Sequence, residues 1–152
     1  MKGDVHKFYI PGKPIAKKRP RFVTNTGKDG KSFTRNVNVQ QTEEGRFLWE
    51  VLTQWDNKPA LTGALKLECE FVFERPKSHF GTGRNAGKLK ASSPLMCDKV
   101  SSDCDNIEKF CMDSLNRYVY VDDRQIVKLS SEKRWAEDGE IASVVLIFTE
   151  LD

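Results

Sequence analysis

Residues 63–76 read GALKLECEFVFERP, and no other stretch of the chain constrains its fold so tightly. Leu65, Leu67, Cys69, Phe71 and Phe73 fall on one side of a two-residue repeat, and Lys66, Glu68, Glu70, Val72 and Glu74 on the other. That alternation fits an extended strand with one face on a core and the other toward water. Such a strand cannot stand alone. Its backbone groups need neighbouring strands, and its apolar face needs a covering layer.

The rest of the sequence supplies both. VHKFYI (5–10) is alternating and β-rich, and predicts a first strand that ends at Pro11. Gln125–Trp135 and Ile141–Glu150 flank the turn-like AEDGE, which predicts an antiparallel C-terminal hairpin closed by Trp135. Helical spacing predicts one helix from about Gln40 to Trp55, striped by Phe47, Val51, Leu52 and Trp55, with Trp49 also placed at core spacing. A second, over about 105–117, carries Ile107, Phe110, Cys111, Ser114, Leu115 and Tyr118. The expected fold is therefore α/β (α+β), in the order β-α-β-α-β-β, with a mixed sheet of about four strands and two helices. At 152 residues, one domain spanning 1–152 is large enough to bury its own core.

Two segments resist this scheme. PGKPIAKKRPRFVTNTGKDGKSFTRN holds three prolines and three glycines, which excludes a regular helix and predicts a long arm, with a short strand at Arg21–Thr24. Residues 76–102 predict a second, flexible loop rich in Gly, Ser and Lys. Both are basic. Residues 11–35 hold eight Lys or Arg against one Asp, and residues 75–90 hold five basic residues and no acid. Residues 98–125 reverse the sign, with seven acids against four bases. A polyanion suits the first kind of surface and cations the second.

Several function classes recede. The longest apolar run, VVLIF at 144–148, is far too short to span a membrane, and the N-terminus shows no signal-peptide core, so a cytoplasmic setting is expected. Cys69, Cys97, Cys104 and Cys111 form no CxxC pair and are expected as reduced thiols; spacings of seven argue against a zinc site from the last three with His79. GTGRNAGKL (81–89) is not a phosphate loop, because Thr82 and Leu89 stand where Gly and Ser or Thr are needed, so no nucleotide cofactor is expected. His6 and His79 are expected in structural or surface roles.

The acidic segment carries the chemistry. SSDCDNIEKFCMDSL (101–115) leads into the second helix, and YVDDRQIV follows it. Asp105 with Glu108 three residues on has the form of a capping box, which explains Asp105 but not Asp103. In an extended lead-in, residues two apart share a side, so Asp103 and Asp105 can converge, with Lys109 one turn beyond Asp105. Asp122 and Asp123 precede the next strand, and Asp123 is expected to close on Asp103 and Asp105. Two carboxylates about 4 Å apart repel by about 4 kcal/mol at an effective dielectric near 20. A third worsens it, and one lysine cannot offset all three. A hard dication can, and carboxylate oxygens select Mg²⁺, with Mn²⁺ as a substitute, over zinc. Beside a helix N-terminus suited to phosphate, that is equipment for phosphodiester hydrolysis.

Asp103-Cys104-Asp105-Asn106-Ile107-Glu108-Lys109, then Asp113-Ser114-Leu115-Asn116, then Asp122-Asp123-Arg124-Gln125-Ile126-Val127 resembles the RusA family of Holliday junction resolvases, whose pattern runs D-x-D-N-x-x-K, D-x-L-N/T, D-D-x-Q-[IV]. GKPIAKKRPRF (12–22) and RPKSHF (75–80) resemble the longer, often phage-encoded members. The resemblance covers about 25 residues densely and the whole chain loosely. It implies a homodimer that cuts four-way DNA junctions symmetrically with Mg²⁺ in recombination and repair. The implied metal ligands are Asp103, Asp105 and Asp123, the essential lysine Lys109, and the supporting residues Asp122, Asn106 and Gln125. Two positions depart from the family: Ser102 stands where Pro is frequent, and Arg117 where Gly is common, with Asn116 expected to take the left-handed helix cap instead.

Lys13, Lys17, Lys18, Arg19 and Arg21 in the arm, with Arg75, Lys77, Arg84 and Lys88 in the loop, are the expected contacts to the phosphate backbone. Phe22 is a candidate for stacking at an opened junction as well as for the core. The competing reading is a recombination protein that binds branched DNA without cutting it.

Overall fold

In the computed structural model, which describes residues 3–19 and 21–151, the chain runs β1 (Val5–Pro11), β2 (Arg21–Thr26), β3 (Ser32–Val37), α1 (Gln41–Trp55), β4 (Leu65–Phe73), α2 (Cys104–Leu115), β5 (Ile126–Trp135) and β6 (Ser143–Glu150). Pro20, one of the arm prolines, lies outside the described residues. β1, β6, β4 and β5 form one mixed sheet in that order, and β2 and β3 form a separate two-stranded ribbon.

The alternating stretch takes an inner place in the sheet. β4 pairs with β5 in parallel and with β6 antiparallel, so the β4–α2–β5 passage is a crossover with α2 as its helix. Leu65, Leu67, Cys69, Phe71 and Phe73 join a core with Phe8, Ile10, Val144, Leu146 and Phe148, covered by Phe47, Val51 and Trp55 of α1 and Ile107, Phe110, Cys111 and Leu115 of α2. Burying one such side chain contributes about 1.5–3 kcal/mol, which fixes both helices on this face. Opposite it, Lys66, Glu68 and Glu70 are half-exposed, while Val72 is fully buried beside Arg134, its cross-strand neighbour, which pairs with Glu70 and Glu140.

The expected C-terminal hairpin does not form. β5 and β6 are consecutive but lie on opposite sides of β4, so residues 136–142 step over it, a span of about two strand spacings, roughly 10 Å. Ala136 N–H donates to the Phe73 carbonyl and Ala142 N–H reaches Glu74, tying the connection to the end of β4. β4 takes β5 on one edge and β6 on the other, so the two C-terminal strands are neighbours in sequence but not in the sheet.

Three smaller expectations are corrected. Trp49 is exposed, because only Phe47, Val51 and Trp55, four residues apart, share the buried stripe of α1. Tyr118 is exposed as well, since α2 ends at Leu115. The arm contributes a full ribbon rather than one short strand, turning through Gly27–Lys31 with Gly30 at φ 77° and Asp29 accepting from Lys31 N–H. The 76–102 segment is organised by its backbone. It contains short 3-10 turns and pairs Phe80 with Leu89, and Lys90 N–H donates to the His79 carbonyl.

Candidate active site at the two ends of α2

Asp103, not Asp105, occupies the N-cap of α2. Its carbonyl accepts the Ile107 N–H at 3.1 Å, but its side chain makes no capping hydrogen bond. The expected capping box of Asp105 and Glu108 is therefore absent. Asp105 sits within the first turn and is exposed, as are Asp103 and Lys109. Two carboxylates thus stand at the positive end of the helix, and among the described residues neither has an ion-pair partner, Lys109 included.

The backbone beneath them is held. Lys133 of β5 donates its ammonium to the Ser102 carbonyl at 2.9 Å, with that of Val100 at 3.4 Å, which fixes the lead-in to Asp103. Lys17 N–H donates to the Asn106 carbonyl at 2.9 Å, docking the arm on the first turn. The Asn106 side chain is exposed.

The opposite end is built differently. Asp122 caps a 3-10 turn, Asp123–Gln125, accepting from the Arg124 N–H at 2.9 Å. That hydrogen bond, with the Arg124 and Arg117 charges, holds its carboxyl below the usual range. The Gln125 side-chain oxygen accepts from the Val121 and Asp122 N–H groups, and its amide donates to the Leu61 and Gly63 carbonyls, which pins the turn to the lead-in of β4. Asp123 accepts from the Tyr120 hydroxyl at 2.8 Å, and the same hydroxyl lies 2.7 Å from the Met112 carbonyl. Burial, with the Asp123 hydrogen bond, pushes the Tyr120 phenol far up, so it stays a donor.

Asp123 is therefore tied beside the last turn of α2, while Asp103 opens the first. Nine residues separate Asp103 from Met112, about 13 Å of helix. Among the described residues no group of three His, Cys, Asp or Glu side chains comes together to hold a metal. Within one chain, the expected closure of Asp123 on Asp103 and Asp105 is not made. The oxygen donors have the chemistry a hard dication needs, but they are divided between the two ends of one helix.

The sequence matches the family described as Endodeoxyribonuclease RusA over residues 11–145. It is also similar to a protein of Bacillus subtilis (strain 168) described as "Uncharacterized protein YqaN", at 26% identity over 146 residues, covering 93% of this chain and 96% of that protein. The chain belongs to the RusA endodeoxyribonuclease family. The family assignment places it among endonucleases that act on Holliday junctions, and so gives it branched DNA as a partner.

The basic residues of this RusA-family chain divide into two groups. Lys13, Lys18, Arg19, Arg21, Lys77, Arg84 and Lys88 are exposed. Lys17 and Arg75 are not available as expected. Lys17 lies 2.6 Å from Glu44 and 3.3 Å from Asp113; burial works to lower its pKa, and these two carboxylates outweigh it and raise it. Arg75 donates to the Pro94 carbonyl at 2.8 Å and lies over the Trp135 ring, so it shapes the loop. Burial pushes the Cys69 thiol up to about 12 and raises Cys111 well above the ordinary range, so both are held as neutral thiols.

Tyr120, Lys133 and Gln40 are the positioning residues that sequence reasoning missed, and Lys17, expected to contact DNA, holds Glu44 and Asp113 instead. Gln40 is 1% exposed; its side chain accepts from Lys18 N–H and donates to the Ala16 carbonyl, holding the root of the arm. Tyr120 left a trace in YVYVDD: a tyrosine three residues before an aspartate, in an otherwise apolar run.

Proposed function

We propose that the chain is a Mg²⁺-dependent, structure-selective endonuclease that resolves four-way DNA junctions as a homodimer, with Mn²⁺ able to replace Mg²⁺. The observation that carries this reading is the uncompensated pair Asp103 and Asp105 at the N-terminus of α2, with Lys109 one turn on, in a RusA-family chain. Lys17 is paired with Glu44 and Asp113, and Arg134 with Glu70 and Glu140, whereas these two carboxylates have no ion-pair partner among the described residues, which leaves their oxygens free to take a cation.

The same geometry supports the dimer. One chain separates Asp123 from Asp103 and Asp105 by the length of α2. Two copies related by a twofold axis, with their α2 helices antiparallel, set the end carrying Asp123 in one copy beside the end carrying Asp103 and Asp105 in the other. The result is two equivalent sites, one for each strand of a symmetric junction. A Mg²⁺ bound there supplies Lewis acidity for water and for the leaving oxygen. The chain's own groups do the rest: Lys109 and the α2 N-terminal amides offset charge gathering on the phosphate. Tyr120 keeps the Asp123 carboxylate aimed. The exposed lysines and arginines of arm and loop hold backbone without reading sequence.

Replacing Asp105 with Asn and assaying binding and cutting of a synthetic four-way junction tests this. Junction binding is expected to persist while incision in Mg²⁺ disappears. If the unsubstituted protein binds junctions and never nicks them in Mg²⁺ or Mn²⁺, the alternative of a non-cleaving branched-DNA-binding recombination protein replaces this reading.

A further inference from the structure

The β2–β3 ribbon has no apolar core of its own. Its turn is polar, and its cross-strand pairs include Thr24–Thr34, joined hydroxyl to hydroxyl at 3.1 Å, and Thr26–Ser32. Two-stranded ribbons of this size are marginal alone, so this one depends on its root, where Gln40 holds residues 16 and 18 together. Six residues per strand carry it about 20 Å outward. Against that polar background it exposes two aromatic rings, Phe22 at 75% and Phe33 at 53%.

The register separates these rings. Arg21, Val23 and Asn25 share one face with Phe33 and Arg35, and Phe33 sits directly opposite Asn25 near the tip. Phe22 faces the other way, near the root. Lys28 and Lys31 lie in the turn, and Asp29 between them is the one acid of the ribbon. An exposed ring among cations on a ribbon too thin to bury it is matched by a partner with flat apolar faces set between negative charges. Nucleic acid bases are such faces, but only where they are unstacked, and a branch point is where a junction offers them. The placement agrees: the ribbon springs from the segment that Lys17 N–H docks on Asn106, next to Asp105.

Resting on the junction-cutting reading above, we propose that the β2–β3 ribbon is a branch-point reader. Phe33 stacks on a base freed at the crossover, while Arg21 and Arg35 on the same face hold the adjacent phosphates. The ribbon thereby confers preference for branched over linear DNA, a task separate from cutting.

The test uses the full chain, a four-way junction carrying 2-aminopurine at the branch point, a linear duplex with the same base, and EDTA to prevent cutting. The unsubstituted protein is expected to raise 2-aminopurine fluorescence in the junction and leave the duplex unchanged. Phe33→Ala is expected to abolish the rise and to lower junction affinity about tenfold, the scale of one lost base–aromatic stack, with duplex affinity unchanged. Phe33→Trp restores both. Thermal melts unchanged from the parent confirm that the variant folds, as expected for an exposed ring. The inference is overturned if Phe33→Ala keeps the fluorescence rise and the junction preference. It is equally overturned if that variant sediments as a monomer where the parent is a dimer, which assigns the ribbon to a second copy. Mg²⁺-dependent cutting by the parent alongside either result confines the failure to the ribbon; absence of junction binding and cutting by the parent removes both readings.

Discussion

The two ends of α2 carry the same residue type and treat it in opposite ways. At the C-terminal end, every acid is engaged: Asp123 by Tyr120, Asp122 by Arg124, and the turn between them by the four hydrogen bonds of the Gln125 side chain. At the N-terminal end, Asp103 and Asp105 are exposed, and structure is invested only in the backbone beneath them, through Lys133 and Lys17. One end is tied down within the chain; the other leaves its two carboxylates free. A carboxylate fixed in advance cannot search for a ligand, whereas a free one can be gathered by a cation. Under the reading proposed above, a helix bearing both kinds supplies half of a site at each end.

The largest expected effect tests whether the halves meet across two chains. Asp105→Asn and Asp123→Asn are each expected to lose junction cutting when assayed alone. In a mixed dimer, one shared site collects both substitutions and the other collects none. Co-refolded or co-expressed variants are therefore expected to regain about a quarter of parental nicking, since about half the dimers are mixed and each keeps one of two sites. The recovered products should be single nicks rather than paired cuts. Complete inactivity of the mixture, with mixed dimers demonstrated, breaks the comparison, because it places all three aspartates of each site on one chain.

Much of this was legible in the sequence, and what was not has identifiable causes. β4, α1 and α2 were readable because each has one buried face, and burial writes its period into the residues. β5 and β6 were readable as strands, but their pairing was not, since the connection 136–142 fits a hairpin as well as a step over β4. The ribbon was half-seen because neither of its faces is buried, so no period was written. The carboxylates were identified by spacing, yet the N-cap fell on Asp103, two residues early, and Asp123 went to the far end of the helix. Chain order gives the sequence of groups but not which end of a helix they return to.

A middle-sized effect probes how far the finished end depends on one hydroxyl. Tyr120→Phe keeps the ring in its place against Phe148 and removes the donor to Asp123. Cutting is expected to fall roughly 10–100-fold, the usual scale for removing a group that orients a metal ligand, with junction affinity unchanged. Stability should drop by about 1 kcal/mol, measured by urea denaturation, for the lost hydrogen bond. The discriminating readout is the metal requirement: the Mg²⁺ concentration for half-maximal cutting is expected to rise. A variant that loses stability but keeps both rate and metal dependence makes Tyr120 a packing residue, and the contrast between the two ends weakens accordingly.

The smallest effect concerns how the finished end is closed. Asn116 was expected to take the left-handed cap in place of the family's common glycine, yet its φ is −57° and Arg117 takes that conformation at φ 74°. The helix needs it there: Asn116 N–H still bonds to the Met112 carbonyl, and Arg117 N–H must turn back to the Tyr120 carbonyl at 2.7 Å. An L-residue pays about 1 kcal/mol in this region, and glycine avoids that while adding freedom to the unfolded chain. Arg117→Gly is therefore expected to stabilise by about 0.5 kcal/mol, a rise of about 1–2 °C in Tm for a domain of this size. Arg117→Ala, which removes the same exposed side chain and keeps the strain, should give no rise. Equal gains from both variants would trace the effect to the arginine side chain instead of its backbone. Cutting should hold in either case, because the Asp122–Gln125 turn is secured by its own hydrogen bonds, and a loss in both variants would show that the Arg117 charge near Asp122 serves the DNA.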